Sequence, residues 1–294
     1  MNGLTKLALW GALLAALMQT GLAESPGPAV PLPTRDMVQS FMRRMFGYDP
    51  AVTWQILEIR PSIVPNMAEI VVRVGNQPLS TRLYVTPDGN HAIIGDAVPF
   101  GADPFAPTRA RLEREARGPA RGPAGAAVTM VVFEDLQCPH CREAHLLLEK
   151  LLADYPDIRL VFQHYPLTEV HKWAFQAAAF AECVALEGNA AFWKFVQAVF
   201  DHQTEITEDN ARARLAAYAM SAGTDGASVR ACASSGPVSA RVNQSLEFGR
   251  SLGVSSTPTL FINGRKVTQV NGIPYERLKA LVEFEIRQGK QGGK

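Results

Sequence analysis

The sequence predicts an α/β chain built as a small amino-terminal α+β unit followed by a larger one. In the larger unit a strand–helix–strand element, an antiparallel hairpin and a last helix enclose an inserted helical block. Three observations carry this reading. An apolar run, Val128 to Phe133, has the look of a buried strand, and a helix opening on Cys138-Pro139-His140-Cys141 follows it at once. An alanine-rich stretch of helical spacing then runs from Glu169 to about Leu252. After it, two short strand-like runs flank Asn263-Gly264, a dipeptide that suits a two-residue turn because both positions tolerate positive φ.

The 294 residues are 47% hydrophobic and 19% charged, which excludes a disordered, collagen-like or coiled-coil chain. Lys+Arg 29 against Asp+Glu 28 leaves no charge excess with which to hold nucleic acid or an anionic membrane. Residues 1–23 read as a secretory signal. Lys6 precedes the apolar run Leu7 to Met18, and Gly21-Leu22-Ala23 offers small residues at the two positions a signal peptidase reads. The run is shorter than the roughly 20 apolar residues a spanning helix needs. No cysteine lies near Ala23 to carry a lipid. Cleavage there predicts an exported, periplasmic-type soluble protein with 28 basic and 28 acidic residues, Lys6 being the only charge removed. Four cysteines are too few for a disulfide scaffold but enough for one redox pair and one structural pair.

Residues 24–34, rich in proline, read as a leader, and 35–97 as the small α+β unit. Asp36 is the expected cap of a helix from Met37 towards Phe46, with Met37, Phe41 and Met45 on one face. Strands are expected over Thr53–Ile59, Ala68–Val74, Thr81–Thr86 and His91–Ile94, with Pro87-Asp88-Gly89-Asn90 as the turn between the last two. So small a unit buries little alone, and a partner or second copy would help it. Residues 98–125 carry Arg109, Arg111, Glu113, Arg114, Glu115 and Arg117 before Gly118-Pro119 and Gly122-Pro123. They read as a solvated linker with one or two helical turns.

The larger unit occupies 126–290, with the helical insertion over about 168–252. A helix is expected from Pro139 to Leu152 and a second strand over Ile158–Gln163. The helical block should break near Gly188, Gly223 and Gly236. Strands over Thr259–Ile262 and Lys266–Val270 and a helix from Pro274 to about Arg287 complete the order. A parallel strand–helix–strand beside an antiparallel hairpin and helix is a thioredoxin-type sheet, here with an inserted helical lid.

The chemistry is expected at Cys138 and Cys141. Cysteines three apart at a helix start can close a tight disulfide and present it to solvent. Cys138, before the first turn, lies in the field of the unpaired N–H groups, which favours thiolate and lowers its pKa. Cys141, one turn in and shielded, serves as the resolving thiol. Pro139 suits the first helical position because the N–H it lacks would have no partner there. His140 adds a donor and positive charge beside the thiolate, and a stabilised reduced form makes the disulfide more oxidising. No cofactor beyond that redox-active disulfide is expected. The competing reading is a metal site on one helical face, Cys138, Cys141 and His145. A structural zinc site wants four ligands, however, and no second Cys-x-x-Cys or paired histidines supply them, so no metal is expected. Thr257-Pro258 arrives just before the third strand. In a thioredoxin-type sheet a cis proline here faces the reactive disulfide, and its preceding residue offers backbone groups to an extended substrate.

Phe133-Glu134-Asp135-Leu136-Gln137-Cys138-Pro139-His140-Cys141, His164-Tyr165-Pro166-Leu167, Phe192-Trp193 and the run Gly253 to Gly264 resemble the DsbA-type thiol:disulfide oxidoreductases. The resemblance covers about 126–290. It implies Cys138 as attacking cysteine, Cys141 as resolving cysteine and Pro258 as the cis proline. Many members carry a buried acid six residues before the first cysteine, where this chain has Val132. Glu134 or Asp135 are the candidates to assist proton transfer instead, and strand alternation lets at most one of them point inward. Thr257 resembles the residue found in the isomerases DsbC and DsbG. The stretches Leu83 to Gly89 and Ile93 to Asp96 resemble their dimerisation domain, which implies a homodimer through the amino-terminal unit.

Cys183 and Cys232 remain, and in an oxidising compartment an even remainder predicts a structural disulfide outside turnover. His164 and His171 flank the start of the lid and are read as packing or surface histidines. Trp173, Trp193, Phe195 and Phe200 are expected in the core of the helical block. Three functions compete on these residues. The first is an exported enzyme exchanging disulfides with unfolded exported proteins and re-poised by a membrane redox partner, with Pro139-His140 favouring the oxidase direction and Thr257 an isomerase. The second is a dimeric chaperone whose cysteines are secondary. The third is a Cys/His metal carrier.

Overall fold

The computed structural model describes residues 31–75, 80–94, 96–268 and 270–292. The expected signal segment and most of the leader lie outside them. Helix α1 spans Arg35–Phe46, and its cap is Thr34, whose Oγ1 accepts the Met37 N–H at 3.2 Å. Asp36 sits in the first turn rather than at the cap. With the helix starting there, Val38, Phe41 and Met42 are buried and Met45 partly so, an i, i+3, i+4, i+7 stripe. Met37, expected on one face with Phe41 and Met45, is 46% exposed and lies off the buried stripe. The stripe covers one face of an antiparallel meander, β1 (Trp54–Pro61), β2 (Ala68–Val74), β3 (Thr81–Val85), β4 (His91–Ile94) and β5 (Asp96–Pro99), paired in that order. Ile56, Ile70, Val72, Leu83 and Val85 form the sheet side of this core. Strand β5 was not expected, because a four-residue strand ending in proline gives little periodic signal.

The stretch read as a solvated linker is packed structure. Helix α2 (Ala106–Glu115) puts Leu112 into a cluster with Val131, Phe133, Val161 and Phe248, so it covers one face of the second sheet. Its charged residues lie on the outer side, and Arg111 Nη2 reaches Ser251 Oγ at 2.8 Å. Strand β6 (Ala120–Arg121) then joins that sheet as its edge.

The second sheet runs β10-β9-β7-β8-β6. Strands β7 (Thr129–Glu134) and β8 (Arg159–His164) are parallel, connected by helix α3 (Pro139–Asp154). Strands β9 (Thr259–Ile262) and β10 (Arg265–Thr268) form the expected hairpin, with φ of 48° at Asn263 and 87° at Gly264. Alternation along β7 sends Met130 and Val132 to the helical-block core and Val131 and Phe133 to the α2 side. Both faces are therefore covered, which is why the run reads as continuously apolar.

The insertion consists of α4 (Ala174–Glu187), α5 (Asn189–Asp201), α6 (Ala211–Ser221), α7 (Gly226–Cys232) and α8 (Gly236–Ser251). The three expected breaks appear, and a fourth lies at 202–210, where Asn210 Oδ1 accepts the Thr207 N–H in a polar turn. Trp173, Trp193, Phe195 and Phe200 are all buried in this block. Cys183 of α4 and Cys232 of α7 form the expected disulfide, with a Cα–Cα distance of 6.0 Å. Helix α9 (Tyr275–Gly292) closes the chain and carries Glu285, which pairs with Arg44 of α1 through two hydrogen bonds of 2.5 and 2.8 Å. Helix α1 of the amino-terminal unit is thus tied to α9 by a buried ion pair. Among the described residues no helix is long and apolar enough to cross a membrane.

Candidate active site

Strand β7 delivers Glu134, and three loop residues later Cys138 stands at the N-cap of α3 with extended backbone, Pro139 occupying the first helical position. Cys138 is 4% exposed and Cys141 fully buried, and both are free thiols. The loop is held from several sides. The Cys138 N–H donates to Asp135 O at 3.0 Å, and the Asp135 N–H reaches Cys141 Sγ at 3.4 Å. Gln203 Nε2 donates to Leu136 O and Cys138 O, at 2.8 and 3.1 Å. Gln137 Oε1 accepts the Trp173 N–H at 2.7 Å, so the helical block clamps the loop.

Thr257-Pro258 is a cis peptide bond, and Cys138 Sγ lies 3.6 Å from Thr257 O. The two expected constellations meet here, brought together by the pairing of β7 with β9. Cys138 is pushed down to about 5, first by the hydrogen bond from the Cys141 thiol and then by Thr257 and the N–H groups of Cys141 and His140, against the opposing effect of burial. Burial, followed by the neighbouring Cys138 and Glu134, pushes Cys141 well above the ordinary thiol range. The pair is asymmetric: one thiol is ready to be a leaving group or nucleophile, the other holds its proton.

Glu134 and Asp135 are both 1% exposed, so the expectation that only one points inward does not hold. Glu134 ends the strand on the same face as Val132, and Asp135 lies beyond the strand, where alternation no longer applies. Their surroundings differ. Asp135 accepts the N–H groups of Gln137 and Leu167 at 2.7 and 2.8 Å and contacts His171 Nδ1 at 2.8 Å. Neither oxygen of Glu134 has a hydrogen-bond partner. Burial pushes its carboxyl well up, with Cys138 and Glu149 adding, which leaves a buried acid that can hold a proton beside the cysteine pair.

The His140 ring does not sit on the thiolate. It is largely exposed and faces Glu143 Oε2 at 3.3 Å and Asn271 Nδ2 at 3.1 Å, so its help to Cys138 comes through its backbone N–H. His171, read as a packing or surface residue, supports the site through Asp135. Gln203, Asn271 and His171 carry no periodic or motif signal, and only the fold brings them here. His164 is buried among Phe162 and Phe192, away from these contacts. His145 turns its Nε2 to Gln197 Oε1 at 3.0 Å and packs on Phe200, and among the described residues no group of three His, Cys, Asp or Glu is placed to hold a metal.

The depressed Cys138 gives a pH prediction with a definite sign. Between the folded value of about 5 and the ordinary thiol value of 9.0, the unfolded chain holds a proton that the folded one has released. The reduced protein is therefore stabilised as pH rises from 5 and loses that term as pH falls through 5. At 1.36 kcal/mol per unit, and with the thiol half-protonated at pH 5, the reduced form should lose about 2 kcal/mol between pH 7 and pH 5 relative to the oxidised form. Glu134 is present in both forms and largely cancels in that difference. Urea melts of each form at the two pH values measure it, and parallel changes in both would refute the assignment.

The sequence model of a family described as thioredoxin matches residues 115–283. Among solved structures, BdbD of Bacillus subtilis is similar with a TM-score of 0.53 and 22% identity, over 58% of this chain and 93% of that one. The catalytic domain of Proteus mirabilis ScsC gives 0.51 and 24%, over 61% and 98%. The thiol-disulfide exchange protein alpha-DsbA2 of Wolbachia pipientis gives 0.51 and 20%, over 61% and 96%. Among curated proteins the chain is 37% identical over 150 residues to the Na(+)/H(+) antiporter NhaA 3 of Salinispora tropica, and 35% identical over 150 residues to NhaA 1 of Salinispora arenicola. Each alignment takes 51% of this chain and 22% of the antiporter, so the chain spans about a fifth of those relatives.

Proposed function

From a chain that belongs to the thioredoxin family over residues 115–283, we propose an exported protein thiol:disulfide oxidoreductase working in the oxidase direction. The observation that carries the reading is the asymmetry of the cysteine pair, one thiol pushed down to about 5 and the other well up. In the oxidised enzyme a client thiolate attacks Cys138 Sγ, the Cys138–Cys141 bond breaks, and Cys141 leaves with the electron pair and takes a proton. The client's second thiolate then attacks its own sulfur in the mixed disulfide. The client disulfide forms and Cys138 departs as thiolate, so two electrons pass from client to enzyme. Cys138 is a good leaving group because it is content as an anion. Glu134 is the group placed to exchange a proton with Cys141. The carbonyl of Thr257 beside cis-Pro258 offers the client backbone an acceptor. Clients are unfolded exported proteins, and a membrane redox partner restores the disulfide.

The reduction potential tests the direction. At pH 7 a thiol titrating near 5 rather than 9.0 favours the reduced form by about 3 kcal/mol, or roughly 60 mV for a two-electron couple. A value near about −120 mV in glutathione buffers is expected. A value of roughly −200 mV or lower would overturn the oxidase direction and leave a disulfide isomerase or reductase, the reading that Thr257 and a dimer through residues 35–97 would favour.

A further inference from the structure

A cavity of about 930 Å³ lies at the junction of α1, α2, β10 and α9, within the range of ligand-binding clefts. Phe46 of α1, Ile273 of the turn before α9 and Leu281 of α9 supply apolar wall, while Arg111, Arg265, Lys266 and Arg277 also line it. Among its described lining residues none is acidic, and the carboxylates that pair with its cations stand outside that lining: Asp49 lies 3.6 Å from Arg277 Nε and Glu115 3.3 Å from Arg111 Nη2.

Two features show what would fill it. The first is a sheet edge. Residues Gly264 to Thr268 all line the cavity, and β10 is the terminal strand of its sheet. In the two-residue hairpin Arg265 and Val267 face Ile262 and Leu260 as the hydrogen-bonded pairs, so the N–H and C=O groups of Lys266 and Thr268 point away from β9. Among the described residues those groups have no hydrogen-bond partner. The second is buried positive charge. The Arg265 side chain is 7% exposed; its Nη1 donates to Met45 O at 2.6 Å and its Nη2 to Arg44 O, while its Nε makes no hydrogen bond, Glu285 Oε1 being 3.7 Å away. Arg44, beside it, competes for the same carboxylate. Burial pulls Arg265 down to about 10 despite Glu285, and Arg44 adds to the effect.

We propose that this cleft binds an extended, acidic and apolar polypeptide segment, which adds to β10 as a further strand. Its main chain pairs with Lys266 and Thr268, its apolar side chains meet the Phe46 and Leu281 wall, and a carboxylate lies towards Arg265 and Arg277. The cation set gives charge complementarity, and the free strand edge selects a polypeptide over a small amphiphile. The site is separate from the cysteine pair and does not depend on the proposed redox function.

A short fluorescein-labelled peptide of alternating valine and aspartate is the probe, read by anisotropy with the whole protein. Saturable binding tighter than about 1 mM is expected, with the matching valine–lysine peptide failing to bind. Lys266→Pro removes an outward N–H and leaves the β9 ladder intact, and Arg277→Glu reverses a charge on the rim, where that side chain is 66% exposed. Each should weaken binding about tenfold or more while leaving the Cys138 titration unchanged, which also reports that both variants fold. No binding, or binding indifferent to both variants, would overturn the proposal. So would dodecanoate binding that survives Lys266→Pro while the peptide does not bind, since the occupant would then be a lipid-like anion.

Discussion

Replacing Cys138 by alanine is expected to remove thiol–disulfide exchange, lowering the rate of client oxidation on the order of 10³-fold or more, because no other free cysteine can reach solvent. Cys141→Ser should behave differently. The serine variant keeps a Cys138 thiolate but lacks the group that resolves the intermediate, so a mixed disulfide through Cys138 should accumulate on addition of an oxidised client. Glu134→Gln should leave alkylation of Cys138 nearly unchanged and slow its release from the mixed disulfide by about a hundredfold, the lower range for a positioned proton acceptor. Mass spectrometry of the trapped species and stopped-flow fluorescence separate the three. Turnover by Cys138→Ala above a tenth of the parent rate would sink the assignment. A mixed disulfide trapped on residue 141 in place of 138 would reverse the roles of the two cysteines.

Removing the Cys183–Cys232 bridge is the second large effect. The bond spans a sequence separation of 49 and ties α4 to α7, so it restrains a long loop of the unfolded chain. The chain-entropy model gives about 4 kcal/mol for a loop of that size. With about 2–4 °C per kcal/mol for a domain of this length, the double variant Cys183→Ala/Cys232→Ala should melt on the order of 10 °C lower. The variant is needed because a reductant would also open the Cys138–Cys141 bond. Exchange activity at low temperature should survive, since the bridge lies in α4 and α7 while Cys138 and Cys141 stand at the start of α3. A stability loss below about 1 kcal/mol would show that the unfolded chain, or strain in the folded one, offsets the expected gain.

How much of this was legible beforehand follows from the range of the interactions involved. The β7 run, the Cys138–Cys141 spacing, the Asn263-Gly264 turn and strands β2, β4 and β9 were readable because each rests on local periodicity or on the φ preferences of one or two residues. The α1 face and its cap were misread by a residue or two. Asp36 and Thr34 both qualify as caps, and only packing against Ile56, Ile70 and Leu83 chooses between the resulting stripes. Residues 106–121 read as solvated because their composition is charged. A single buried Leu112 and a two-residue strand decide otherwise, and neither leaves a periodic trace.

The sequence by itself determined the α/β class, the position of the reactive pair and the pairing of the other two cysteines, since those depend on residue identity and spacing. Tertiary structure alone decided the electrostatics. Burial raises both Glu134 and Cys141 well above their ordinary ranges, and Asp135 is held by Leu167 and His171 from a distant segment. It also turned His140 towards Asn271 and left the buried Arg265 Nε without a hydrogen bond. Desolvation is a property of everything packed around a group, and no local stretch of sequence records what the fold will bring there.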